Sequence, residues 1–209
     1  MLSPFKALPF LVLAAVASAQ EAAPGYPPGY HRHDGFYLSL NPGIALGKTV
    51  IDGPGYRETA KGGASVVELR LGGAVRPNLI LSGDFIVRTS RNPDVSPASS
   101  PLQSGDFRFT DGTLGLGLTY YFMPYNVYLS GTVGSGRILF LDVDNSTGSS
   151  SDGGLSLTLK AGKEWWVSKN WGLGVAGGYG FVSAKNGDFV SGTQLTSNKV
   201  FLLFSTTYN

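Results

Sequence analysis

The chain has 209 residues, a formal net charge of +2 and no cysteine, so neither a disulfide framework nor a thiolate metal site is available to it. Its near-balanced charge lacks the basic stripe that a nucleic-acid partner requires, and only 14% of its residues are charged, against roughly 25% in a soluble domain. Beyond the N-terminal segment there is no run of about twenty apolar residues, which excludes helical membrane spans.

The N-terminus reads as a secretory leader over residues 1–19. Lys6 supplies the positive charge, Leu8 to Ala17 the apolar stretch, and Ala17, Ser18 and Ala19 the small-residue cleavage site before Gln20. Residues 20–34 read as a flexible lead-in: Pro24, Gly25, Pro27, Pro28 and Gly29 leave no periodic apolar face to bury. The third unit, 35–209, is a single domain of alternating segments.

In the first segment Phe36, Leu38, Leu40, Ile44 and Leu46 alternate with Tyr37, Ser39, Asn41, Gly43, Ala45 and Gly47. Side chains on a strand point to opposite faces with period two, so one face is apolar and the other small and polar. The second segment sets Val67, Leu69, Leu71, Gly73 and Val75 against Glu68, Arg70, Gly72 and Ala74. Arg76, Pro77 and Asn78 form a tight turn, which places Val75 opposite Leu79 at the start of the third segment. That segment carries Leu79, Leu81, Gly83, Phe85 and Val87 on its apolar row. A polar loop follows, from about Ser90 to Gly105.

The fourth segment ends at Phe122, a tight turn spans Met123 to Asn126, and the fifth begins at Val127. Another long loop covers about Asp142 to Gly153. The sixth segment offers Leu155, Leu157, Leu159 and Ala161, and Ser168, Lys169 and Asn170 turn the chain. Lys163 breaks its apolar row, which points to a bulge or to a side chain reaching for headgroups. In the seventh segment Trp171, Leu173, Val175, Gly177, Tyr179 and Phe181 alternate with glycine and alanine. A last loop runs from about Ala184 to Ser197, before Val200, Leu202, Phe204, Thr206 and Tyr208.

These segments make an all-β, eight-stranded antiparallel up-and-down meander closed into a barrel. A soluble lipid carrier would turn the apolar row inward. Three features place it outward, against lipid. The opposite row is dominated by Gly, Ala, Ser and Thr, which suit a cramped interior. Tight turns gather at one end and long loops at the other. Aromatic residues stand where interfaces would fall: Phe36, Phe122, Trp171 and Tyr208 at the turn end, Tyr179 and Phe181 at the loop end.

From Gly35 to Asn209 the chain resembles the small eight-stranded outer-membrane barrels of Gram-negative bacteria, the OmpA-, OmpX- and OmpW-like group. The resemblance implies a transmembrane barrel in the bacterial outer membrane, with outer-membrane lipid and the barrel-assembly machinery as partners. It also implies an assembly tag, an aromatic residue preceded by apolar residues at every second position. Tyr208, Phe204, Leu202 and Val200 keep that spacing, and Asn209 departs from it. The barrel is similar only to the membrane part of OmpA-type proteins.

The inward row carries charges. The tight turn at Arg76–Asn78 sets Arg70 across from Asp84, and puts Glu68 within diagonal reach of Arg88. These four residues read as a network that plugs the bore, or as a gate within it. Enzymatic and metal chemistry find little support. Barrel lipid-A acylases and deacylases need a histidine beside a serine or an acid, and both histidines, His31 and His33, lie in the lead-in. Asp142, Asp144 and Asp152 fail the calcium-loop pattern, since Thr147 and Gly153 stand where it needs its glycine and its bidentate glutamate. Glycine runs such as Gly172–Gly174 lie inside strands and serve close packing. The expected function is a non-enzymatic integral outer-membrane protein without cofactor, structural or surface-interacting through its loops. The alternatives are a narrow channel for small or apolar solutes and, more remotely, a lipid-modifying enzyme.

Overall fold

A computed structural model describes residues 32–97, 105–123 and 125–209. The leader and most of the lead-in, His31 included, lie outside the described residues. Ten strands form in chain order: β1 (Phe36–Gly53), β2 (Tyr56–Arg76), β3 (Leu79–Arg91), β4 (Asp94–Ser96), β5 (Phe107–Phe122), β6 (Val127–Asp142), β7 (Thr147–Ser150), β8 (Gly154–Trp166), β9 (Trp171–Lys185) and β10 (Gln194–Tyr208). Eight of them pair antiparallel in the order β1-β2-β3-β5-β6-β8-β9-β10, and β10 returns to β1, so the sheet closes. The short β4 and β7 lie off this ring, on β2 and β6.

The stagger of the closure follows from the pairing. Stepping across the sheet from Ser39 leads through Arg70, Asp84, Gly115, Gly134, Ser156, Val182 and Ser197 to Thr49, ten residues further along β1. An eight-stranded barrel with that stagger has strands tilted by about 40° and an interior that side chains fill.

Burial alternates as the sequence requires. The outward row is exposed, with Ile44 at 67% and Leu116 at 64%, whereas Tyr37, Ile80, Tyr121 and Ile138 on the inward row are buried. On β1 the outward apolar run extends from Phe36 to Leu46, which at ~3.3 Å per residue and this tilt is about 25 Å tall. That is the height of an outer-membrane hydrophobic band. A continuous apolar belt of this extent around a whole molecule has no place in water. At its turn-end edge Phe36 packs on Tyr208 and Tyr208 on Trp171, with ring centroids 6.3 and 5.3 Å apart. Tyr120 and Phe122 join that girdle 4.9 Å from one another, as does Trp165. Tyr179 and Phe181 stand on the outward row nearer the loops.

The strands run further toward the loop end than the apolar alternation does. Residues 48–66 belong to β1 and β2, joined by a two-residue turn in which Gly55 has φ 82°, so the loop end also holds a tight turn. The expected loop at 142–153 contains β7, and the last loop narrows to the stretch between Lys185 and Gln194. Beyond the lipid band the backbone still pairs, but its outer face meets water and needs no apolar residues. Alternation therefore fades before the strands end.

At the first turn-end connection Arg76, not Val75, pairs with Leu79, and Val75 occupies a bulge. Asn78 and Asn126 take the left-handed conformation at their turns, which asparagine tolerates better than most residues (φ 65° and 52°). No bulge forms at Lys163: it pairs in step with Val127, and its ammonium donates to the Tyr125 carbonyl and lies 5.5 Å from the Trp165 ring centre.

Candidate functional site: the charged interior

Charges on the inward row of a narrow barrel filled by side chains are shielded from bulk water, so each needs partners within the protein. Eight charged side chains are buried among the described residues: Glu68, Arg70, Asp84, Arg88, Asp111, Lys160, Glu164 and Lys199. Four are acids and four are bases, so the interior is balanced.

The lower cluster centres on Arg70 and Asp84, which face one another across β2 and β3 and are both 0% exposed. Arg70 Nε donates to Asp84 Oδ1 at 3.0 Å, while its Nη2 donates to Ser82 at 3.1 Å and to Thr119 at 2.8 Å. Its Nη1 donates to the Tyr37 hydroxyl at 3.3 Å. Asp84 also accepts from Ser82 at 2.6 Å and from Thr132. The ion pair needs room over the neighbouring strand β5, and Gly117 provides it: a Cβ there would lie 2.1 Å from Asp84 Oδ2 and 2.8 Å from Arg70 Nη2. Glu68 lies beside this pair and takes Lys160 from across the bore, together with Asn41 Nδ2 at 2.7 Å.

Glu68 does not meet Arg88, as the strand diagonal had indicated. Arg88 lies further toward the loops, where its Nη1 donates to Asp111 Oδ1 at 2.8 Å and its Nη2 to Thr158 at 2.7 Å. Lys199 and Ser197 complete the upper cluster on Asp111 Oδ2. Gly180 opens the wall for Arg88, since a Cβ there would lie 2.4 Å from Nη2. Each arginine is thus seated against a glycine of another strand, Gly117 on β5 for Arg70 and Gly180 on β9 across the bore for Arg88. That arrangement gives the small inward row a specific purpose.

Lys160, Asp111, Lys199 and Glu164 were not singled out from the sequence, although each lies on the inward row of its strand. Lys160, Lys199 and Glu164 take their partners from strands that are not their neighbours, and pairing register along one hairpin does not reveal such contacts. Asp111 does face Arg88 in register on the neighbouring β3 and β5, but the long loop between those two strands hides that register from the sequence. Apolar layers close the interior at both ends. Tyr37, Ile80, Tyr121 and Tyr128 pack at the turn end; Phe109, Ile138, Val182 and Leu195 pack above the upper cluster.

His33 lies within the turn-end mouth, not outside the barrel in the lead-in. Its ring stacks on Tyr121 with centroids 3.5 Å apart, and its Nε2 is 2.8 Å from Asn126 Oδ1. Its carbonyl accepts the Asn78 amide at 2.9 Å, so it ties the lead-in to two turns. Burial pushes the imidazole below its ordinary value of 6.5, partly offset by its hydrogen bond to Asn126 and by the charges of Glu164 and Asp34. A base with a depressed folded-state pKa contributes fully above its unfolded value and loses that contribution as pH falls below it. Protection of the Asn78 amide in hydrogen exchange, corrected for intrinsic rate, is therefore expected to weaken as pH falls below about 6.5. His33→Ala should abolish that pH dependence. Protection that stays level across the window would contradict the docking.

In the loops, Asp142 caps its own turn through Asn145, and Asp144 accepts the Asp106 amide at 2.9 Å. These carboxylates hold loop structure, and among the described residues no cluster has the makings of a metal site.

A closed barrel with an apolar belt outside and a side-chain-filled, charge-balanced interior is a transmembrane β-barrel. No protein-family model matches this chain, and no curated protein matches it in sequence. Among solved structures it is similar to Neisserial surface protein A, at 17% identity over 82% of this chain and 97% of that one, with a TM-score of 0.48. It is also similar to the outer-membrane protein OprG from Pseudomonas aeruginosa (14% identity, 85% and 98% covered, TM-score 0.47). The outer-membrane protease OmpT from Escherichia coli is a further match (13% identity, 84% and 97% covered, TM-score 0.44). At these identities the likeness is one of fold alone.

Proposed function

We propose that this chain is a non-enzymatic integral protein of the bacterial outer membrane, a sealed barrel that anchors its loop end at the cell surface. The observation that carries the reading is the filled bore. Arg70, Asp84, Arg88 and Asp111 are all buried, and each is held by partners on other strands. A conducting pore would leave such groups facing water. The rigid, plugged interior instead suits a scaffold whose contacts are made by Gly53–Tyr56, the β6–β7 hairpin and the β9–β10 connection. The absence of catalytic chemistry is also part of the proposal. It is supported by His33, whose ring is enclosed by Tyr121, Trp166 and Asn126.

The test is electrical. Refolded protein, with folding verified by a migration difference between unheated and boiled samples on SDS gels, is expected to give no stable conductance steps in planar bilayers. Reproducible ohmic steps would contradict the sealed bore and favour the channel reading.

A further inference from the structure

Just above the apolar belt, on the loop side, the outward row changes from small polar residues to cations. They come from six strands: Lys48 on β1, Lys61 on β2, Arg91 on β3, Arg108 on β5, Arg137 on β6 and Lys185 on β9. Each shares the parity of the lipid-facing residues below it. Lys48 follows Leu46, Arg137 follows Val133 and Ser135, and Lys185 follows Phe181 and Ser183. Allowing for the ten-residue stagger of the closure, the six lie within roughly three residues of one level, a band about 7 Å tall. Scattered solubilising charges would not fall into such a ring.

Two contacts within the ring are unfavourable as they stand. Lys48 pairs in register with Lys61, and Arg91 with Arg108. Like charges directly opposite on one face of a sheet destabilise it. Arg91 has Asp106 at 3.3 Å. Among the described residues, the other five have no carboxylate within ion-pair distance. Asp52, Asp94, Asp144 and Asp188 lie beyond the ring in and beside the loops, and Asp152 stands beside it, its amide donating to the Lys185 carbonyl at 3.0 Å. A soluble polyanion approaching from outside would meet those carboxylates first. The ring faces sideways, where only the membrane surface abuts it.

We infer that the ring binds the phosphate-bearing headgroups of lipids in the loop-side leaflet, with Lys48–Lys61 and Arg91–Arg108 each sharing a headgroup anion. Long cationic side chains at a membrane edge keep their stems along apolar surface and extend their heads to the interface. A phosphate between paired cations removes the repulsion the sheet otherwise carries. The inference rests on the transmembrane reading and adds to it the chemistry of the lipid and the residues that hold it.

The probe is a bisphosphorylated lipid A, compared with its dephosphorylated form, added to folded detergent-solubilised protein and followed by native mass spectrometry. The phosphorylated lipid is expected to bind at least about tenfold more tightly, and K48Q/K61Q/R108Q/K185Q to lose most of that preference. The milder K48Q/K61Q should lose a smaller share. Equal binding of the two lipids, or an unchanged preference in the fourfold variant, would overturn the inference. Displacement of the lipid by millimolar inorganic phosphate would do so as well, because it would mark a site for free anions. Heat-dependent gel migration, run on the same samples, reports the barrel itself. Equal binding of the two lipids by wild-type protein that shows the shift overturns the ring alone, and absence of the shift in the wild-type protein overturns both readings.

Discussion

Replacing Arg70 by alanine is expected to destabilise the barrel by about 3–5 kcal/mol, the range for removing one partner of a buried charged pair. Asp84 would keep its hydroxyl donors, Ser82 and Thr132, but lose the guanidinium beside it. The hydroxyls of Thr119 and Tyr37 would lose a charged donor at the same time. Asp84→Ala should cause comparable damage by stranding Arg70. The double variant should cost less than the two single costs added, because neither charge is then left alone. Reversible urea titration in lipid vesicles measures all three, and strictly additive costs would contradict the contact.

The second large effect is steric. Gly117→Ala places a Cβ 2.1 Å from Asp84 Oδ2, inside a pair fixed from several strands, so neither partner yields cheaply. A loss of about 1–3 kcal/mol is expected, as for other overpacked interiors. Gly83→Ala is the control. It lies on the outward row, and the nearest atom to its Cβ is the Leu71 carbonyl oxygen at 3.9 Å, so its effect should stay within about 0.5 kcal/mol. In an Asp84→Ala background the Gly117→Ala cost should shrink, since the obstructing carboxylate is gone. An undiminished cost there would show that backbone strain, not the ion pair, makes Gly117 necessary.

The lipid-facing half of the barrel was the more legible part of the sequence. A surface against hydrocarbon must be apolar at every second residue, and that demand writes Leu116, Leu118 and Tyr120, or Val200, Leu202 and Phe204, directly into the chain. The Arg70–Asp84 pairing was readable because a hairpin turn fixes register along both strands, even though the bulge at Val75 changes the last pair before the turn. The contacts of Glu68 with Lys160 and of Arg88 with Thr158 span 92 and 70 residues and depend on how the barrel closes. Alternation along a strand carries no record of that closure. His33 escaped for a different reason. Nothing in a Pro/Gly-rich lead-in marks the residue that turns back into the mouth, and its partners Tyr121 and Asn126 lie on a distant hairpin.

Accessibility of nitroxide side chains in lipid vesicles bears most directly on the central claim, that the outward row meets lipid around a closed barrel. Single cysteines replacing Leu116, Val175 and Leu202, each on the outward row of a different strand, would be spin-labelled. The account predicts frequent collisions with dissolved oxygen at all three and few with a water-soluble nickel chelate. Labels at Asn145 and Ser191, exposed at the loop end, should show the reverse. Strong collisions with the nickel chelate at Leu116, Val175 and Leu202 would place that row in water, and the transmembrane barrel would be contradicted.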